Sequence, residues 1–329
     1  MRELTMVKRW IKGMTVFLCA ATLFIGGCTP QNAATAGSRG TGSGNYAVIT
    51  DDAGRTVTLK DKPQRVVVLS TSLLNFVAAV DGNLAGRATV KSEVASIPEK
   101  YQTVPDVGPV YSVSTEKIIE LKPDLVIASE IQHKELIPIL EQNNIPVLAL
   151  RTKTYDDVKR NLEVIGKVYG KEDTAKAKQA EMDAAIAAIT DKLPHEHKKI
   201  AIIHATPSSV TVELPNSLAG DIAQLLHLDN VAAGAGTVQG DAEKIPYSME
   251  ALVEKNPDVI FFTSMGPSEK IQKRIKQDVE SSPAWSSLKA VEEGSVYVLP
   301  ENYFLLNPGL DYPKAVDYMA RLVYPEVFQ

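Results

Sequence analysis

Continuous apolar runs recur along the chain: Arg65-Val-Val-Val-Leu-Ser70, Leu125-Val-Ile-Ala128, Pro146-Val-Leu-Ala-Leu150, Ile200-Ala-Ile-Ile-His204, Asp258-Val-Ile-Phe-Phe-Thr263 and Ser295-Val-Tyr-Val-Leu299. They do not alternate with polar residues, which is the pattern of strands covered on both faces, as in a parallel sheet. Between them, segments with helical periodicity fall near 72–80, 134–141, 217–226, 269–279 and 312–322. Upstream, Tyr46-Ala-Val-Ile-Thr50 and Thr56-Val-Thr-Leu59 flank Asp51-Asp-Ala-Gly54-Arg55, a hairpin signal with a glycine where the turn needs a positive φ. Strand alternating with helix predicts an α/β fold with right-handed crossovers and mostly parallel sheets.

Two features divide this pattern into two similar lobes. From 155 to 193 the strands stop: 156–169 is helical, Gly170 ends it, and 172–192 is alanine-rich without Gly or Pro, a helix of about 30 Å. A long connecting helix makes a stiff hinge and predicts little domain movement. On either side of it one block occurs twice. Ser114-Thr-Glu116-Lys-Ile-Ile-Glu120-Leu-Lys-Pro123-Asp124-Leu-Val returns 134 residues later, without a gap, as Ser248-Met-Glu250-Ala-Leu-Val-Glu254-Lys-Asn-Pro257-Asp258-Val-Ile. Five of thirteen positions are identical and four more exchange aliphatic residues, at a spacing far beyond solenoid periods. The organisation expected is an N-terminal lobe over 46–153, connecting helices over 154–194 and a C-terminal lobe over 195–329.

The start of the chain reads as an address. Lys8, Arg9 and Lys12 precede an apolar run from Met14 to Gly27, too short to span a membrane and suited to a signal peptide over 1–27. Residues 28–45 are mostly small and polar, a flexible tether wandering roughly 20–25 Å. Without residues 1–27, which hold four basic residues and one acidic, 31 basic and 39 acidic residues remain, a formal charge of −8. An acidic body excludes nucleic acid as the expected partner. The chain has two cysteines, Cys19 inside the signal and Cys28 after it, so neither a disulfide nor a thiolate metal site is expected in the body. The glycines of 232–240 lack phosphate-cradle spacing. Of the five histidines, His195 and His197 should be solvated, His204 a satisfied core residue, and His133 and His227 helical.

These residues resemble a known family. Ile25-Gly26-Gly27-Cys28 is similar to a bacterial lipobox. With Asp52-x-Gly54-Arg55-x-Val57, Pro63-x-Arg65-Val66-Val67, Val107-Gly108, the repeated block, Asn144-Ile-Pro-Val147 and Trp285-x-x-Leu288-x-Ala290-Val291, it resembles the ABC-transporter substrate-binding lipoproteins of the siderophore, cobalamin and haem class over about 46–326. The resemblance implies the class III periplasmic-binding-protein fold and no enzymatic activity. It also implies a monomer working with an ABC permease and its ATPase outside the cytoplasm, anchored to the cell membrane by lipid on Cys28. Glu116 and Glu250 would then dock to permease arginines. Serine two residues before each is also an ordinary helix start, and both roles are compatible.

Within the class, Ile97-Pro98-x-x-Tyr101-x-x-Val104-Pro105-x-Val107-Gly108 is similar to the first-lobe signature of Gram-positive haem receptors of the iron-regulated surface determinant type. Those receptors hold iron with a methionine three residues past this glycine and a histidine after the second Pro-Asp strand. Here Tyr111 and Met265 stand at those positions. The resemblance thus implies haem as transported ligand, with Tyr111 and Met265 toward the iron and Tyr303 as a further contact. Tyrosinate and thioether are both haem ligands, though an unusual pair. Alternatives are a cobalamin or ferric-siderophore receptor, a tetrapyrrole chelatase and a sensor subunit. Arg274 is the only arginine of the second lobe before its final helix, which leans against anionic siderophores.

Overall fold

The computed structural model describes residues 44–89, 97–235, 242–266, 268–306 and 308–328. The expected signal segment, Cys28, most of the tether and 236–240 of the glycine-rich loop lie outside them.

The predicted hairpin is β1 (Ala47–Thr50) with β2 (Thr56–Leu59), an antiparallel pair. Its turn is tied by the buried Asp51, whose Oδ1 accepts the backbone N–H of Ala53 and of Arg55 at 3.1 and 2.9 Å. Gly54 takes φ +74° there, which glycine adopts without strain. Next come β3 (Val66–Val68), α1 (Thr71–Ala79), β4 (Gly86–Thr89), β5 (Asp106–Pro109), α2 (Thr115–Glu120), β6 (Leu125–Ser129), α3 (Ile137–Gln142) and β7 (Val147–Leu150). The five strands after the hairpin form a parallel sheet in the order β5-β4-β3-β6-β7.

The connecting segment is α4 (Tyr155–Tyr169) and α5 (Glu172–Thr190), separated by Gly170 in the left-handed conformation at φ +59°. A capping box starts α4. Thr154 accepts from the backbone of Asp157, and the Asp157 carboxylate takes the N–H of Thr154 at 3.3 Å and of Lys153 at 2.9 Å. The same carboxylate, almost wholly buried, also receives two bonds from Arg151 at 3.1 Å and one from Arg160 at 2.7 Å.

Beyond it lie β8 (Lys199–Ala205), β9 (Val210–Glu213), α6 (Leu218–Leu225), β10 (Asp229–Asn230), β11 (Lys244–Pro246), α7 (Met249–Lys255), β12 (Val259–Ser264), α8 (Ser268–Ile275), α9 (Lys289–Glu292), β13 (Val296–Val298), α10 (Glu301–Phe304) and α11 (Tyr312–Val323). The second sheet runs β11-β9-β8-β12-β13. It is mixed: β8, β10, β12 and β13 are parallel, whereas β9 returns antiparallel to β8 and carries β11.

The repeated block does the same work in both lobes. Ser114 and Ser248 are the N-caps of α2 and α7, each accepting a backbone N–H from three residues on. Lys122 and Asn256, just before the prolines, both take positive φ, +47° and +43°. Asp124 then accepts the N–H of Arg65 at 2.9 Å and donates its own N–H to Arg65 O at 3.1 Å. Asp258 repeats this with Lys199 at 2.8 Å in each direction. Each aspartate staples the amino end of its strand to the neighbouring parallel strand.

One continuous core joins the two sheets. Val66, Leu73, Phe76 and Ile127 of the first lobe share it with Tyr155, Leu162 and Met182 of the connecting helices and with Ile202, Ile222, Phe261, Tyr312 and Met319 of the second. Smaller clusters fill the outer face of each sheet. Two expectations are corrected. The helix placed at 134–141 begins at Ile137, because Pro138 suits only its first turn, and the residues before it are in turns. His133 therefore lies on no helix, and His227 follows α6 at φ +56°.

Candidate functional site

In open α/β sheets, ligands bind outside the carboxyl ends of the strands. In the first lobe those ends lead into the turn after β5 and the loop after β6. Gly108 permits the first of these. It takes φ +110°, its N–H meets Asp106 Oδ1 at 2.8 Å, and an added Cβ would stand 3.2 Å from Ser112 O. The chain then folds into the single 3-10 turn Val110–Ser112, with the Tyr111 side chain 78% exposed.

A buried histidine holds that turn. The backbone N–H of Ser129 donates to His133 Nδ1 at 3.0 Å, so the ring proton sits on Nε2 and is given to Val110 O at 2.9 Å. Burial depresses the His133 pKa below the ordinary histidine value, although the bond to Val110 works the other way. The neutral ring thus ties the loop after β6 to the residue beside Tyr111. Sequence reasoning missed it because Gln132-His-Lys-Glu-Leu136 has helical composition.

In the second lobe, Met265 follows β12, its N–H bonded to Ala205 O at 3.2 Å and its side chain 53% exposed. Tyr303 sits on α10 after β13, half-buried, with its ring 6.4 Å from that of Tyr318 and 6.5 Å from that of Phe304. No hydrogen bond or ring contact joins Tyr111, Met265 and Tyr303 among the described residues. Arg274 lies beside these loops but is engaged, donating to Pro207 O at 3.0 Å and pairing with Asp278 at 2.9 Å.

Beneath the carboxyl ends of β8 and β12 lies a buried polar cluster. His204 Nδ1 is 2.9 Å from Thr263 Oγ1 and 3.3 Å from Glu213 Oε1, and Thr263 donates to the same carboxylate at 2.5 Å. Burial acts to raise the Glu213 pKa, but the bonds from His204, Thr263 and Ser217 outweigh it, and the carboxyl is held below its ordinary value. His204 is a core residue, as expected, but its companions are polar.

Glu116 and Glu250 are both exposed in the first turns of α2 and α7. The Glu250 carboxylate is held below its ordinary pKa by its own backbone N–H and by the Ser248 hydroxyl, 3.0 Å away. Among the described residues no group of three or more His, Cys, Asp or Glu converges as a metal site, and no helix is long and apolar enough to cross a membrane.

Comparison with known proteins agrees with this architecture. Residues 66–303 match the sequence profile of the periplasmic binding protein family. The chain is 30% identical over 289 residues to the Fe(3+)-citrate-binding protein YfmC of Bacillus subtilis, covering 86% of this chain and 87% of that one. It is 24% identical over 264 residues to the high-affinity heme uptake system protein IsdE of Staphylococcus aureus, covering 80% and 88%. The crystal structure of IsdE complexed with heme superposes with TM-score 0.67 at 24% identity, over 79% of this chain and 98% of that one. An ABC transporter substrate-binding protein from Listeria monocytogenes superposes with TM-score 0.70 at 21% identity, over 80% of this chain and all of the other. A profile match over most of the body, a full-length relative and a shared two-lobed fold lead to one conclusion: this chain belongs to the periplasmic binding protein family.

Proposed function

We propose that the protein is the substrate-binding component of an ABC importer, and that it captures an iron porphyrin between its lobes for delivery to the permease. One observation carries the choice of cargo. Of the five most exposed large hydrophobic residues among those described, Tyr111, Val298, Ile131 and Met265 all stand at or just beyond the carboxyl ends of strands, at 78, 66, 56 and 53% exposure. An apolar set at these strand ends supports a binding role there. It suits a flat hydrophobic ligand better than a small anion, for which Arg274 and Arg151 are already committed to other partners.

In this reading Tyr111 supplies a phenolate to the iron, and Met265 and Tyr303 contact the ligand from the second lobe. Glu116 and Glu250 present carboxylates to the permease, and lipid on Cys28 keeps the body at the outer face of the cell membrane. Ferric citrate or a ferric siderophore is the second reading, favoured by the ligand for which the 30% identical relative is named; cobalamin belongs with it. The family is one of binding proteins, so it offers the chelatase alternative no support.

Titrating the purified body with haemin, cobalamin and ferric citrate separates these. Haemin should give a Soret band that Tyr111→Ala displaces. Saturable binding of ferric citrate with no haemin band would overturn the porphyrin reading.

A further inference from the structure

The turn of the β1–β2 hairpin does more than join its two strands. β7 ends the first sheet, and β6 takes one side of it: the Val126 N–H donates to Pro146 O and the Glu130 N–H to Leu150 O. Backbone groups alternate sides along a strand, so those of Val147, Ala149 and Arg151 point away from the sheet. The hairpin turn meets them. Ala149 donates its N–H to Asp51 Oδ2 at 3.1 Å and accepts the backbone N–H of Asp52 at 3.0 Å. Arg55 Nη2 donates to Val147 O at 2.9 Å, and the Arg151 N–H to Asp52 Oδ2 at 2.6 Å. The turn thus bonds β7 as a neighbouring strand would, without continuing the ladder. It is pinned from both flanks, by Glu141 of α3 on Arg55 at 2.5 Å and by Arg160 of α4 on Asp52 at 2.9 Å.

The strands at the other ends of the sheets carry their own protection. β5 has Gly108 at φ +110° and Pro109, and its ladder to β4 is irregular. β11 begins on Lys244 and ends on Pro246, and β13 is three residues long. Short length, lysine, proline and bulges are the usual guards against pairing with another chain. β7 has none of them. It reads Val-Leu-Ala-Leu, without a charge or a proline, and all of it is buried.

We propose that the Asp51–Arg55 turn is an edge cap, and that what it excludes is a second copy of this chain pairing β7 against β7. Two copies of β7 laid antiparallel across a two-fold axis would exchange the bonds now made to the turn, and each edge would be used once, closing a dimer. The cap keeps the body a monomer. The inference concerns association alone and is independent of the cargo the cleft takes.

Light scattering with circular dichroism, at rising concentrations of purified protein, tests this on the wild type and on the double variant Asp51→Asn with Arg55→Met. Asparagine keeps an oxygen for the turn's own N–H groups, those of Ala53 and Arg55, but sets an N–H against that of Ala149. Methionine removes the donor to Val147 O. The wild type should hold one mass throughout, whereas the folded double variant should rise toward twice that mass. Adding Ala149→Pro takes away a free N–H of the strand, a change that an edge strand tolerates, and should return the variant to the monomer mass. Should the double variant not fold, Asp51→Asn alone carries the same pair of measurements. A folded variant that stays monomeric overturns the cap, as does a wild type that is already dimeric. Association that Ala149→Pro does not reverse overturns it too, because it would come from unfolding or from another surface.

Discussion

Asp157 shows what one carboxylate contributes to the body. It is buried, yet the bonds from Arg151, Arg160 and two backbone N–H groups overcome the cost of burial and draw its pKa down from 3.8 to about 2. A folded-state pKa below the unfolded value gives stability that is present above about pH 4 and lost as pH falls toward 2. The difference corresponds to about 2 kcal/mol. Unfolding measured from pH 6 to 2 should show this loss in the wild type and not in Asp157→Asn. At pH 7 that variant should be less stable by about 3 kcal/mol, because two arginines lose a buried partner. The candidate ligand-side residues differed in what the sequence offered. Tyr111 and Met265 were singled out by position in a signature, and the structure shows both exposed, in a turn after β5 and just after β12. His133 and the partners of His204 were not found, since their meaning lies in contacts between residues distant in sequence. His133→Gln keeps a donor for Val110 and an acceptor for Ser129, and should retain ligand affinity. His133→Ala should lower both affinity and stability, the latter by about 1–3 kcal/mol; parallel titrations and melts would check both.

At the scale of elements, the legible strands were the continuous apolar ones: β3, β6, β7, β8, β12 and β13 each overlap a predicted run. β4, whose sequence is Gly-Arg-Ala-Thr, and β5, Asp-Val-Gly-Pro, were illegible because neither carries a β-branched run; their place is set by neighbouring strands. The antiparallel pair β9 and β11 was hidden for another reason. It covers the carboxyl half of β8 while β10 covers the amino half, a division of one strand edge that local pattern does not encode. The repeated block was the clearest signal, and its detail is structural: its serines cap helices and its aspartates staple strands. Ser114→Ala or Ser248→Ala should each cost about 1 kcal/mol through loss of an N-cap, read as a shift in the denaturant midpoint. Gly220 is a stricter point: a Cβ there would lie 2.2 Å from Leu214 O, so Gly220→Ala should displace α6 from Glu213 and lower the melting temperature well beyond either cap variant.

At the scale of the molecule, the expectation of a stiff hinge has more than the long connecting helix behind it. The helices do not merely span the lobes; they share one core with both. Asp221 of α6 fixes the junction, accepting from the backbone N–H of Tyr155 at 2.9 Å and from the Tyr312 hydroxyl at 2.5 Å. Closing the lobes by a wide angle would break this core. Small-angle scattering with and without ligand should therefore change the radius of gyration by less than about 1 Å. A stiff body would leave recognition by the permease to its surface, where Glu116 and Glu250 are exposed carboxylates at equivalent helix starts. Replacing both by alanine should leave ligand affinity unchanged and abolish uptake in cells, whereas a loss of affinity would place them in the binding site instead. The central claim, an iron porphyrin as cargo, meets its most direct test in the absorption spectrum of the protein purified from haem-fed cells. A Soret band that co-purifies in about one-to-one proportion is the predicted result. Protein that emerges without a Soret band but with stoichiometric non-haem iron would contradict it.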